Sequence, residues 1–324
     1  DVLEHALADR DRLIAPLIAL TILASVGIGT SLARKVQAEH LADEAAVAVS
    51  LSQLIHELQG ERDVSAGWVA GNGAVEKSGV VAQRVAVDKA LASFRRGVQG
   101  LEVHESRFHD RLALVLPELS RLNEGRREID DNQDATASAT LERYSGIIER
   151  LLAVNHEIAG ETDNQTLIGH VAAFASLAQL KEATSLERGV SNAAAATGRF
   201  GPGELQALER IVGAQQASRK QFNAAASPEQ RASLDRALQA TLVRQGTLPL
   251  DTVLISGPQA QIDLDPSQRY RDASARVGLL RQVEEQVAAD LSVGSQDAQA
   301  VANRQALLYT LILTMVLWLT VGLS

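Results

Sequence analysis

Apolar residues recur at three- and four-residue intervals along nearly the whole chain, a spacing that stacks them on one face of successive α-helices. Where the rhythm stops, the residues are helix breakers or caps, and eight helices can be drawn between them. The first runs from about Leu41 to Ala70 and ends at Gly71-Asn72-Gly73. The second covers Val80 to Leu101, the third Ser106 to Asn132 with a kink expected at Pro117, and the fourth Leu141 to Ile158. A long fifth helix, Asn164 to Thr197, closes at Gly198 to Gly203, where three glycines and a proline forbid continuation. The sixth is Glu204 to Ala225. Ser227 as N-cap and Pro228 at the first helical position then open a seventh, to Arg244. A polar, proline-containing stretch leads to the eighth, from Arg269. The expected fold is all-α, two four-helix bundles with short connections.

Two runs break this amphipathic pattern by having no charge. Leu13 to Ala33 and Ala306 to Ser324 are each about as long as a helix needs to cross roughly 30 Å of hydrocarbon. They divide the chain into a flank (1–12), a first transmembrane helix (13–33), a helical sensor (34–304) and a second transmembrane helix (305–324). The first run is too long for a signal peptide and its leading flank is not basic. Arg34 and Lys35 follow it, which taken alone opposes the positive-inside rule; the expectation is that the informative flanks lie beyond this stretch of a longer receptor. On this reading the sensor is periplasmic, the spans sit in the inner membrane, and the terminal helices carry movement to a cytoplasmic signalling module.

Composition agrees with helices: only 3% of residues are aromatic, too little material for a packed sheet. The formal net charge of -9 argues against a general nucleic-acid surface, so no nucleic-acid partner is expected. There is no cysteine, which removes disulfides, thiol catalysis and thiolate metal sites. The seven histidines show no i, i+4 pairing of the kind zinc sites use, and no phosphate loop or nucleophile–base set is present, so neither a metal, a cofactor nor an enzyme is expected.

One motif is written twice. Glu61-Arg62-Asp63-Val64-Ser65 and Glu187-Arg188-Gly189-Val190-Ser191 each fall inside an amphipathic helix. At about 100° per residue, Arg62 shares its face with Ile55, Leu58, Ser65 and Ala66, and Arg188 with Phe174, Leu177, Lys181 and Ser191. Both arginines thus point coreward, where a guanidinium costs several kcal/mol to desolvate unless a negative group accepts its hydrogen bonds. Two answers are open. Internal salt bridges can be made with Glu57 and Glu61 for the first motif and with Glu182 and Glu187 for the second. Alternatively, both forks converge on a small exogenous oxyanion, with Ser65, Ser191 and Asn192 as neutral donors. Small residues after each arginine (Ala66 and Gly67; Ala193 to Ala196) would let the helices approach. Lys181, two turns before Arg188, either adds positive potential or snorkels outward.

The blocks Leu54 to Gly73, Gln83 to Leu91, Leu177 to Phe200 and Arg269 to Glu284, in this order, resemble the nitrate- and nitrite-sensing (NIT) domain of bacterial receptors, over nearly all of Leu41 to Ala300. The resemblance implies an all-helical domain of two four-helix bundles, found in chemoreceptors, sensor kinases, nucleotide cyclases and antiterminators, with Arg62 and Arg188 as the ligand arginines. Asp63 departs from it, standing where the family usually has glycine. By helical phase Asp63 points about 100° from Arg62, so two outcomes are open: it changes only the rim of the site, or a carboxylate this near lowers anion affinity.

Three or four charge-assisted bonds of roughly 1.5 to 3 kcal/mol each, less ordering costs, reach about -6 to -8 kcal/mol, a micromolar site. The function expected is therefore a homodimeric two-span receptor binding nitrate or nitrite between Arg62 and Arg188 and signalling across the membrane. The alternatives are a helical-bundle chemoreceptor domain for an organic acid or amino acid, and a structural membrane protein whose arginines are only salt-bridged.

Overall fold

The computed structural model describes residues 2–72, 77–101, 107–131, 135–158, 164–244 and 266–322, and these are helical apart from short turns. Among them run α1 (Val2–Ala70), α2 (Ser78–Gln99), α3 (Arg107–Ser120), α4 (Leu122–Asp131), α5 (Ala137–Asn155), α6 (Gln165–Thr197), α7 (Glu204–Ala225), α8 (Pro228–Arg244) and α9 (Pro266–Gly322). Gly73 and most of the proline-containing stretch before the last helix lie outside the described residues.

The helix ends follow from side-chain chemistry. Thr136 accepts from the Ala139 N–H at 3.1 Å, and Asn164 from the N–H groups of Thr166 and Leu167, which satisfies donors that the first turn leaves without partners. At Ser227 the capping is reciprocal: its hydroxyl accepts from Gln230 N, while the Gln230 side chain accepts from Ser227 N. α6 stops where Gly198 turns left-handed at φ 73°, a conformation that leaves Arg199 N to bond Ala194 O at 3.2 Å.

The third expected helix is two. Pro117 stays inside α3, and the chain breaks one turn later at Arg121, where tighter i→i+3 bonds replace the α-helical pattern. Ser120 contributes by returning its hydroxyl to Leu116 O at 3.1 Å, a bond that bends helices.

The chain divides into two compact units, 1–42 with 292–324, and 43–291. In the first, Gly27 lies against the Tyr309 ring so closely that a Cβ there would come within 2.6 Å. Stretches of α1 and α9 are long and apolar enough to cross a membrane, and Leu23, Val26, Leu307, Leu311 and Trp318 are exposed along them. In the second unit α6 is the central element. Its buried residues cover almost every face, including Leu167, Phe174, Leu177, Thr184, Arg188 and Ala194. A helix apolar or small all round belongs in a core, and here Ala183 and Val190 pack with Ala66, Leu141 and Ile211 from α1, α5 and α7. This arrangement carries charged residues of the mid-α6 turns into the interior.

Candidate functional site

Arg62 on α1 and Arg188 on α6 do meet, and a carboxylate lies between them. Asp63 Oδ1 accepts from Arg62 Nε at 2.8 Å, and Asp63 Oδ2 accepts from Arg188 Nε at 2.8 Å and from the Ser185 hydroxyl at 2.9 Å. Ser185 also receives a bond from each guanidinium, at 3.2 Å in both cases. Arg62 and Asp63 are fully buried and Arg188 is 5% exposed. Ser145 accepts from Arg62 Nη1 at 3.1 Å, Glu182 pairs with the same nitrogen, and Ser274 accepts from Arg188 Nη1 at 3.2 Å. The Tyr270 ring faces the Arg188 guanidinium at 5.3 Å, a cation–π contact that covers its remaining side.

Close helix approach makes this possible. A Cβ on Gly67 would sit 2.2 Å from Asn192 Nδ2, and one on Gly189 would sit 2.6 Å from Asp63 Oδ1. Those glycines are the space that Asn192 and the Asp63 carboxylate occupy. Asn192 uses its position to donate to the Asp63 backbone carbonyl at 3.2 Å, stitching α6 to α1.

Of the two outcomes open for Asp63, a place at the rim alone is therefore excluded. The backbone phase of about 100° is correct for the Cα–Cβ direction, but an arginine side chain is long enough to fold back on its neighbour, and α6 supplies a second cation from the other side. The five residues expected to form the site are distributed differently. Arg62 and Arg188 are its two poles, and Asn192 braces it through the backbone. Ser65 is fully buried with no partner for its hydroxyl among the described residues, and Ser191 is buried on α6 outside the described bonds to either guanidinium. Ser185, Ser145, Ser274 and Tyr270 were missed. Ser185 had a local signal, three residues before Arg188 and so one turn away on α6; the other three come from α5 and α9, and no local spacing marks them.

The motif glutamates turn away from the site. Glu61 holds Arg126 through two bonds of 2.7 Å and accepts the Tyr144 hydroxyl at 2.6 Å. Burial, with Glu61 second, pushes the Tyr144 hydroxyl well above its ordinary range. Glu187 pairs with Arg276 at 2.9 Å and accepts from Gln215 at 2.7 Å. Of the expected salt-bridge partners, only Glu182 reaches a motif arginine, and it reaches the other helix's. Burial opposes charge on Arg62, yet Glu182 and Asp63 outweigh it and raise its pKa. Lys181 does not snorkel; it is fully buried and paired with Glu284 of α9.

The core of the site thus holds two guanidiniums, Arg62 and Arg188, and two carboxylates, Asp63 and Glu182. Its donors are arranged for a flat group offering one oxygen to each arginine. Residues 53–292 match the family described as nitrate and nitrite sensing. The chain belongs to that NIT family. It is 29% identical over 210 residues to the nitrate regulatory protein of Klebsiella oxytoca, covering 64% of this chain and 53% of that protein. The chain thus spans about half the length of that curated relative. The solved structure of the NasR transcription antiterminator is similar in fold, with a TM-score of 0.72 at 24% identity over 87% of this chain and 80% of that one.

These relatives correct three expectations for this NIT chain. A regulatory protein and a transcription antiterminator overturn the two-span receptor that signals across a membrane, together with its organic-acid alternative. They overturn the periplasmic placement in the inner membrane and the bilayer as partner. The exclusion of nucleic acid falls as well, since the chain spans only about half of a regulatory protein and net charge over this stretch does not report what another region binds. The apolar stretches of α1 and α9 remain as helices of sufficient length, which core helices and leaders also satisfy.

Proposed function

We propose that this NIT domain senses nitrate or nitrite for a non-enzymatic regulator, and that the anion is held by Arg62 and Arg188. The observation that carries the reading is the convergence of both guanidiniums, from helices remote in the chain, on one planar two-oxygen group. Nitrate and nitrite have that shape and charge, so either presents an oxygen to each Nε. Ser185 already bonds both guanidiniums, Ser65 and Ser191, buried three residues after each arginine, are the further neutral donors on this reading, and Asn192 steadies the backbone at Asp63. Ser145 and Glu182, both bonded to Arg62, line a groove of about 840 Å³ between α5, α6 and α7, which offers a path from solvent.

Two four-helix bundles remain the preferred description, α1 to α5 with α3 and α4 as one broken helix, and α6 to α9. The parallel use of the motif glutamates, Glu61 with Arg126 and Glu187 with Arg276, supports it.

Calorimetric titration with sodium nitrate tests the site. Arg62→Ala or Arg188→Ala removes at least one charge-assisted bond of roughly 1.5 to 3 kcal/mol, so each should weaken binding about 10- to 100-fold with helicity retained. Unchanged affinity in both variants rejects the site.

A further inference from the structure

We infer that Asp63 is a tethered oxyanion that occupies the arginine site in place of the diffusible one and so sets the affinity and resting state of the domain; this rests on the reading of the site just proposed. The Asp63 carboxylate makes the contacts that a free planar anion would need: one oxygen on Arg62 Nε, the other on Arg188 Nε and the Ser185 hydroxyl. It is fully buried, and the space it fills exists because position 189 is glycine. The charge is already balanced, Arg62 and Arg188 against Asp63 and Glu182. A nitrate added beside the carboxylate would leave three negative charges against two positive ones in a buried site, where like charges repel strongly.

A free anion must therefore displace the carboxylate rather than join it. The affinity observed is the intrinsic one multiplied by the fraction of molecules whose Asp63 has swung away. With minor conformers populated at roughly 0.1 to 10%, the tether weakens nitrate binding about 10- to 1000-fold. A second consequence concerns the helices. The carboxylate bridges α1 to α6 without any ligand, so the pair rests in the arrangement that an anion would otherwise have to create.

The test uses the full chain as wild type, Asp63→Ala and Asp63→Asn, with calorimetry and thermal melting in sodium nitrate, nitrite, formate and a chloride control at matched ionic strength. Asp63→Ala is expected to melt lower than wild type in chloride, because two guanidiniums then face each other with one carboxylate fewer. Nitrate and formate should restore it, and its nitrate affinity should exceed the wild-type value at least tenfold. Asp63→Asn keeps the shape and loses the charge, so it should also bind more tightly than wild type and serves if the alanine form fails to fold. Equal affinities in all three forms overturn the tether and leave the arginine site standing. Binding by none of them, with helicity intact, overturns the arginine site and the tether with it.

Discussion

His56 registers both the dryness of this core and the cations around it. Burial first, then Lys181, Arg281 and Arg188, lower its pKa from 6.5 to about 2, so the folded ring stays neutral where an unfolded one would take a proton. Between those values the ring binds more protons in the unfolded chain than in the folded one, so the His56 contribution to stability rises with pH and levels off above about 6.5. One group contributes at most about 1.4 kcal/mol per pH unit. Denaturant unfolding of wild type and His56→Gln at pH 7.5, 5.5 and 4.5 should show the variant losing less stability on acidification; identical slopes would remove His56 as the source. The sequence announced the crowding through its doubled Glu-Arg motif, because an arginine among Ile55, Leu58 and Ala66 needs a partner wherever it lies. It did not announce which partner. Asp63 sits one residue from Arg62, and the carboxylate becomes central only because Arg188, from the far end of α6, arrives on its other oxygen.

Lys181 and Glu284 join α6 to α9 by a pair whose side chains are 0% and 1% exposed. A buried ion pair gains little over well-packed apolar residues, but removing one member strands the other without water. Lys181→Met or Glu284→Leu alone should therefore cost about 3 to 5 kcal/mol, while Lys181→Met with Glu284→Leu should lie within a few kcal/mol of wild type in either direction. A cycle of the two single variants and the double variant, measured by denaturant unfolding, checks this; additive losses would show that the pair is not coupled. Helix boundaries were the most readable feature at this scale, since caps such as Asn164, Gly198 and Ser227-Pro228 act through bonds to the nearest turn. A kink is expected at Pro117 and the helix instead breaks a turn later, at Arg121, because a proline marks where a bond is lost and not where the strain is relieved. Partners across elements, such as Glu284 for Lys181 or Arg126 for Glu61, were not readable, since they depend on how helices pack and not on periodicity.

At the scale of the whole molecule, the compact unit 43–291 and the family match 53–292 cover almost the same residues, although one comes from packing and the other from sequence. Among the described residues, the groups that bond Arg62 and Arg188 lie inside that stretch, from Asp63 and Ser145 through Glu182 and Ser185 to Ser274. So do the central helix α6 and the core cluster around Ala66, Leu141, Ala183, Val190 and Ile211. If burial and charge pairing within this unit hold the fold, the apolar stretches of α1 and α9 beyond it are not needed for sensing. Residues 43–291 alone should then unfold in a single cooperative transition. With nitrate at a hundredfold excess over its Kd, binding stabilises by about 2.7 kcal/mol, which for a domain of this size raises the Tm by roughly 5 to 10 °C. Circular dichroism melts of the fragment and of the full chain should give the same nitrate-induced shift. A fragment that folds but no longer responds would place part of the sensing apparatus in 1–42 or 292–324, and the convergence of two arginines on one planar group would then be insufficient to account for it.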